Sequence, residues 1–375
     1  MLPYSTQLID RDDIDSVLSA LESSYLTQGP LLEEFEEELA KRCGRKYATV
    51  FNSATSALYC SYYALDIGHE DEVLIPAITF VATAAMASKF GAEVGFLDVE
   101  YNTGNTSKEI LERSISPKTK VAVGVDYAGT PLQSDFYDYA KALGLKTISD
   151  SSHALGSRLQ GVQSGNSADI SVFSFHAIKP ITTGEGGAAL CDDAEIDRLL
   201  KLQRSHGVVK KSLWSYDIQD IGFNFRMSEM SAALGLSQLA KLDKFIEKRN
   251  TLAKIYEQEL ATIPLVSTLA LPADVLSSRH LFPILLDRSL WCAKELIFQA
   301  LQEKGLGVQV HYKPLYQFSY YKKPNKELFL RGAEDFYRSE LSIPLHQGMS
   351  EDDIMYVVES IKEVIQVHSS SRCVF

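Results

Sequence analysis

The chain has 375 residues, 45% of them hydrophobic and 23% charged, which suits a globular protein with room for more than one domain. Its net charge is −12 and no lysine or arginine run exceeds a local pair, which argues against a nucleic-acid partner and leaves a small anionic ligand open. No stretch reaches the ~18 uncharged apolar residues of a membrane span, and MLPYSTQLIDRDDID has acids where a secretory leader has bases, so no membrane association and a cytoplasmic location are expected.

From residue 46 onward, short apolar runs alternate with longer amphipathic ones. The strands expected in chain order are YATVF (47–51), EVLIP (72–76), EVGFLDV (93–99), VAVGVDY (121–127), LKTISD (145–150) and ISVFSF (170–175). Helix-like stretches such as SATSALYCSYYALDIG, TFVATAAMASKFG and QSDFYDYAKALGLK lie between most of them. The alternation predicts an α/β fold with a mainly parallel sheet and helices on both faces. Near residue 228 the pattern changes to one long helical run, SEMSAALGLSQLAKLDKFIEKRNTLAKIYEQEL. Mixed text follows: strand-like HLFPILL and GLGVQVHY, a helix over 293–304 and a last helix over 351–367. We expect a large domain, 1–245, and a smaller α+β domain, 246–375, with the long helix between them.

Ligands on such sheets bind at the carboxyl ends of the strands, and three features fall there. In FNSATSAL a strand ends at Asn52 and small or hydroxyl residues open a helix, which suits a phosphate at a helix N-terminus or a plain cap by Ser53. In LKTISDSSHALG, Asp150 follows an apolar strand and His153 comes three residues later. The aspartate is able to hold a protonated heteroaromatic nitrogen, or to cap a turn. In SVFSFHAIKPITTGEGGAAL, Lys179 stands alone among apolar residues and ahead of several glycines. It reads either as a solvated lysine or as a buried amine with a depressed pKa, the state that imine chemistry needs.

Together the three features describe a site for pyridoxal phosphate: a phosphate cradle, an acid for the pyridine nitrogen and an imine-forming lysine. There is no GxGxxG after a strand, no GxxxxGK[ST] and no HExxH to suggest another cofactor, and no metal site is expected. Cys43, Cys60, Cys191, Cys292 and Cys373 are scattered and never in CxxC spacing. They are expected to be small buried apolar residues, with Cys373 in a loose tail, rather than a disulfide framework or zinc site.

FNSATSAL, PAITFVATA, SDSSHALG, SFHAIKPITTGEGG, RSHG and GFNFRMSEMSAALGLSQL, in this order, resemble the DegT/DnrJ/EryC1/StrS family of sugar-nucleotide aminotransferases across nearly the whole chain. The resemblance implies the aspartate-aminotransferase-like fold (fold type I) and pyridoxal 5′-phosphate as cofactor. It implies that Lys179 joins the cofactor as an imine and later shuttles protons, and that Asp150 pairs with the pyridine nitrogen. Phe80 would lie against the ring, with His153 near the ring face or its phenolic oxygen. Ala54, Thr55, Ser56 and Ser174 would take the phosphate. Asn224 of the NFR motif would reach the phosphate of a neighbouring subunit, implying a homodimer with shared sites. Tyr4, the run Ser24, Tyr25, Leu26 and Thr27, and Gln309, Val310, His311, Tyr312 and Lys313 would line the substrate side.

The wording VDYAG, SDSSHALGS, SVFSFHAIKPITT and VQVHYKPLYQ narrows the resemblance to members that aminate C4 of UDP-2-acetamido-2,6-dideoxy-β-L-arabino-hexos-4-ulose, with L-glutamate as donor, on the way to pseudaminic acid. Many relatives carry glutamine where His153 stands. Dehydratases of the family replace the lysine with histidine, so the presence of Lys179 implies transamination. Two rivals remain at this level: the same chemistry on a D-gluco UDP sugar or a GDP-4-keto-6-deoxymannose, and a non-catalytic regulator built on the same fold.

Overall fold

The computed structural model describes residues 1–322 and 327–369. Two helices, α1 (Arg11–Glu22) and α2 (Pro30–Cys43), precede the sheet. Asp10 and Asp13 form a reciprocal capping box at the start of α1, satisfying two amides that a helix end leaves open. Gly44, at φ 67°, ends α2 in the left-handed conformation that glycine adopts without strain.

Next come β1 (Tyr47–Phe51), α3 (Ala54–Ala64), β2 (Glu72–Pro76), α4 (Val81–Lys89), β3 (Glu93–Leu97), α5 (Lys108–Glu112), β4 (Thr119–Val125), α6 (Ser134–Ala142) and β5 (Lys146–Asp150). A short hairpin, β6 (Arg158–Leu159) and β7 (Val162–Gln163), leads to β8 (Ile170–Ser174) and β9 (Gly187–Cys191). The main sheet has seven strands in the order β1-β9-β8-β5-β4-β2-β3. Every neighbour pair is parallel except those of β9, which runs antiparallel to both β1 and β8. All six expected strands are present. The seventh, GAALC, is not among the expected strands, although its five residues are fully buried.

Two expected strands end two residues early, and side chains explain both. After β3, the Asp98 carboxylate turns to accept the N–H groups of Gly332 and Ala333. After β4, buried Asp126 accepts from Leu132 N and the Ser151 hydroxyl, and the chain enters a 3₁₀ turn with Ala128 at φ 56°. Within the strands, Val73 and Ile75 pack into one apolar cluster and Leu74 into another; Val121, Ala122 and Val123 divide the same way. Alternate residues thus serve two covered faces, which is why these strands read as continuous apolar runs.

The chain continues through α7 (Ala194–Arg204), the hairpin β10 (Val208–Lys210) and β11 (Tyr216–Ile218), and α8 (Glu229–Leu260), capped by Ser228. Ala232, Leu239, Leu242 and Ile246 of α8 pack with α2 and the main sheet. Leu252, Ala253, Tyr256 and Leu260 pack in a second core. That core includes β12 (Val266–Thr268), β14 (Phe282–Leu286), α9 (Lys294–Glu303), β15 (Glu340–Ile343) and α12 (Glu351–His368), with β12, β14 and β15 forming an antiparallel sheet. The short β13 (Val275–Leu276) pairs instead with β6; α10 (Ser319–Lys322) and α11 (Arg331–Ser339) complete the described chain.

GLGVQVHY does not form the expected strand; it makes only single bridges, Leu2 to Leu306 and Gln309 to Ser342. Beyond Gln309 its backbone groups are satisfied by side chains instead. The His311 N–H goes to Glu340 Oε2 at 2.8 Å, and the His311 carbonyl accepts the Tyr127 hydroxyl. Cys43, Cys60 and Cys191 are free and buried. Cys292 departs from the expectation: it is exposed and disulfide-bonded, and Cys373 lies outside the described residues. No helix among the described residues is long and apolar enough to cross a membrane.

Candidate active site

The parallel strands bring their carboxyl ends to one rim, and β9, running the other way, starts at that rim with Gly187. Here a cavity of about 460 Å³ opens. On its first side β1 gives way to α3, and the Ser53 hydroxyl caps the helix by accepting Ser56 N–H at 3.1 Å. The capping role of Ser53 and a role for the next residues in anion binding coexist. Ala54 and Thr55 are the first two residues of α3, whose N–H groups find no partner within a helix, and both line the cavity. A Cβ on Gly187 would come within 2.3 Å of Ala54 N. The glycine therefore lets the backbone after the lysine loop close against the helix N-terminus.

Asp150 ends β5. Its Oδ2 accepts the Thr83 hydroxyl of α4 at 2.6 Å and Oδ1 accepts Ser152 N–H at 3.2 Å, so the carboxylate is held at two points. Phe80, immediately before α4, turns its ring to the same cavity. Past Ser174 at the end of β8, Lys179 enters the cavity, and its residual exposure is to that space. Burial depresses the amine's pKa to about 8, against the opposing pull of Asp150. Its Nζ lies 3.4 Å from His280 Nε2.

The opposite side brings the N-terminal segment against residues 311–312. Tyr4 and His311 pack with ring centroids 5.3 Å apart, and the Tyr312 hydroxyl lies 3.2 Å from His153 Nε2. His153 and His280 stand 4.6 Å apart between centroids. Burial, reinforced by the Lys179 charge, pushes both imidazoles well below the usual histidine range. Nδ1 of each is buried without a protein partner, a rare condition for native polar atoms.

The structure thus gathers Tyr4, Ala54, Thr55, Phe80, Asp150, His153, Ser174, Lys179, His311 and Tyr312 around one space. The other candidate residues lie elsewhere. Ser56 is buried within the first turn of α3, its hydroxyl donating to Asn52 Oδ1 at 2.7 Å. Ser24, Tyr25, Leu26 and Thr27 are exposed beside the start of α8, where Glu229 N–H donates to the Leu26 carbonyl. Asn224 is exposed and bridged to Ser205. Gln309 bridges Ser342, Val310 packs on the second core, and the Lys313 ammonium sits 5.2 Å over the Phe318 ring. Sequence reasoning missed His280 and Thr83. Thr83 carried a weak signal, one turn after Phe80 in a motif already singled out; His280 carried none beyond its place ahead of a buried strand.

The DegT/DnrJ/EryC1/StrS aminotransferase family matches residues 7–362. A UDP-4-amino-4,6-dideoxy-N-acetyl-β-L-altrosamine transaminase of Campylobacter jejuni is 43% identical over 378 residues, covering 100% of both chains. Among solved structures, Helicobacter pylori PseC, an aminotransferase involved in the biosynthesis of pseudoaminic acid, matches with a TM-score of 0.94 and 39% identity over 98% of this chain and 99% of its own. Spr1654 of Streptococcus pneumoniae in its PLP-form matches with a TM-score of 0.90 and 31% identity over 97% of this chain and 98% of its own; the same protein is known in a PMP-form.

The residues present fit pyridoxal phosphate. Open helix amides suit its phosphate, a doubly anchored carboxylate its ring nitrogen, and a buried amine of lowered pKa its aldehyde. With fold, cavity and relatives in agreement over the whole chain, the protein is a pyridoxal-phosphate-dependent member of the DegT/DnrJ/EryC1/StrS aminotransferase family.

Proposed function

We propose that the enzyme moves the amino group of L-glutamate to C4 of UDP-2-acetamido-2,6-dideoxy-β-L-arabino-hexos-4-ulose. The products are 2-oxoglutarate and UDP-4-amino-4,6-dideoxy-N-acetyl-β-L-altrosamine, an intermediate for pseudaminic acid. The full-length likeness to the C. jejuni transaminase of that name carries this reading. Pyridoxal phosphate, when bound, supplies the electron sink for both half-reactions.

The protein's own groups do the rest. Lys179 Nζ is the base and acid at the reacting carbon, and its lowered pKa keeps it near the protonation balance such a group needs. Asp150, anchored by Thr83, keeps the ring nitrogen protonated. The α3 N-terminus and Ser174 take the phosphate, while Phe80 and His153 flank the ring. Tyr4, His311 and Tyr312 form the sugar side; Ser24 to Thr27, Gln309, Val310 and Lys313 are assigned to the nucleotide end.

A homodimer with shared sites is part of the proposal. Asn224 is exposed, and the nearby β10–β11 hairpin presents Leu213, Trp214, Tyr216, Ile218 and Ile221, from 63% to fully exposed. An apolar patch of this kind marks an interaction surface, and a second copy of the chain would cover it. Residues 1–245 and 246–375 are assigned to a cofactor domain and a C-terminal domain, supported by the two separate cores that α8 joins.

The experiment is a panel of nucleotide-linked 4-keto sugars with glutamate, the product configuration at C4 being read by NMR. Preferential amination of the L-arabino UDP sugar is expected. Preference for a D-gluco UDP or a GDP sugar would overturn the substrate assignment.

A further inference from the structure

Glu340 and Ser342 stand two residues apart on β15, so their side chains share a face of the strand, and both are fully buried. The bridge between Gln309 and Ser342, with N–H···O distances of 3.1 and 2.8 Å, lays the chain ahead of His311 beside them. Glu340 Oε2 accepts the backbone N–H of His311 at 2.8 Å. Its Oε1 accepts the Ser342 hydroxyl at 2.5 Å, and that hydroxyl lies 2.8 Å from His311 Nδ1.

Proton counting gives this chain of contacts a direction. An ionised carboxylate only accepts, and a serine hydroxyl has a single proton to donate. A 2.5 Å O–H···O contact has the length of a bond to an ionised carboxylate. Burial pushes the Glu340 carboxyl up to about 7, while the Lys294 charge, the Ser342 hydroxyl and the His311 N–H pull it back, so the ionised form that the 2.5 Å contact matches prevails above that pH. Ser342 therefore spends its proton on Glu340 and accepts from His311, which places the imidazole proton on Nδ1. Burial and the Lys179 charge keep the ring neutral, so Nε2 carries a lone pair. Nε2 has no protein partner among the described residues, and His311 lines the cavity.

We propose that Glu340 and Ser342 lock His311 in its Nδ1–H tautomer, so that Nε2 offers a hydrogen-bond acceptor to a hydroxyl or amide N–H of the sugar. This rests on the nucleotide-sugar reading above. The lock bars His311 from donating to the keto oxygen at C4, because two acceptors repel. His311 thereby selects how the sugar lies: a ring presenting a donor at that point is held, and one presenting its carbonyl there is rejected. Glu340 and Ser342 are positioning residues that act through the imidazole.

Glu340→Gln tests the lock with an isosteric change. The amide oxygen still accepts the His311 N–H, but the amide nitrogen donates to Ser342. Ser342 then donates to Nδ1 and the imidazole proton moves to Nε2. Long-range ¹H–¹⁵N spectra of holoenzyme labelled with ¹⁵N-histidine read the tautomer, the His311 signals being those lost in His311→Phe. Recorded above pH 7, where the Glu340 carboxyl is ionised, the spectra should show Nδ1–H in the wild type and Nε2–H in Glu340→Gln. KM for the sugar nucleotide should rise about tenfold, while the glutamate half-reaction stays within about twofold.

Nε2–H in the wild type, or Nδ1–H unchanged in Glu340→Gln, overturns the lock. A switched tautomer with unchanged KM overturns the acceptor role. Should Glu340→Gln fail to fold, Ser342→Ala removes the relay and is expected to give a tautomer mixture; pure Nδ1–H there also overturns the lock. The spectra need no substrate. An enzyme inactive on the UDP keto sugar but with His311 locked would refute the substrate assignment alone.

Discussion

The two walls of the cavity are built by different means. One is the rim of the parallel sheet, where Ala54, Asp150 and Ser174 stand at or just past the ends of strands and Lys179 follows within one loop. The other, Tyr4 with His311 and Tyr312, has almost no ladder of its own and is held by side chains: Glu340, Ser342 and Tyr127 on His311, and His153 on Tyr312. In the proposed reaction, the first wall carries the groups that both half-reactions use. The second is tied to buried polar partners distant in sequence, and such a wall is free to differ among enzymes sharing one chemistry. If that division is right, substitutions on the sheet wall should damage both half-reactions, and those on the second wall only the step that uses the sugar.

The largest effect should come from Lys179→Arg, which keeps a positive charge but cannot serve as base or imine partner. Turnover with either substrate should fall about a thousandfold or more, and the visible absorbance of the bound cofactor should change. A loss confined to the sugar half-reaction would break the comparison.

Next is the pH behaviour of the same amine in cofactor-free protein. Its pKa falls from an ordinary 10.5 to about 8 in the folded chain. Between those values the unfolded chain binds a proton that the folded one lacks, so stability of the apo-protein should rise with pH across that window. Borohydride trapping of pyridoxal phosphate on Lys179 should accelerate about tenfold per pH unit and level off above about 8. A plateau only near 10.5 would mean that the amine is solvated.

Gly187→Ala should act through packing. The added methyl would meet Ala54 N, a backbone atom unable to swing aside. A loss of roughly 1–3 kcal/mol in apo-protein stability should accompany weaker cofactor retention, measurable by thermal melting and equilibrium dialysis. The smallest change is expected for Tyr312→Phe, which removes one hydrogen bond to His153. About a threefold rise in KM for the sugar is expected. An equal effect on the glutamate step would place Tyr312 with the sheet wall.

The same contrast explains what the sequence revealed. Sheet strands buried on both faces are written as contiguous apolar runs, and the site residues at their ends follow within a few positions. YATVF, EVLIP and the Asp150 and Lys179 segments were legible for that reason. GAALC was not, because the glycines that let it approach α3 look like loop residues. GLGVQVHY looked like a strand because its alternation is real, with Leu306 and Val308 buried and Gln309 exposed. Beyond Gln309 its hydrogen bonds go instead to Glu340 and Tyr127, and no local pattern encodes partners that remote. His280 and Glu340 were invisible for the same reason: each is one polar residue at or just ahead of the start of a buried strand, given meaning only by what the fold sets against it.

The antiparallel strand β9 also bears on how the molecule is made. β1, at the sheet's edge, pairs with β9 alone, from Tyr47 against Cys191 to Phe51 against Gly187. The first strand to leave the ribosome must therefore wait until the lysine loop and the strand after it have been synthesised. Long-range closures of this kind are slow to form. Cofactor capture cannot precede this pairing, because the amides of α3 and the amine of Lys179 come face to face only when β9 has slotted in between β1 and β8. Loading with cofactor is thus a late event in the life of each new chain, and a reporter that the sheet has closed.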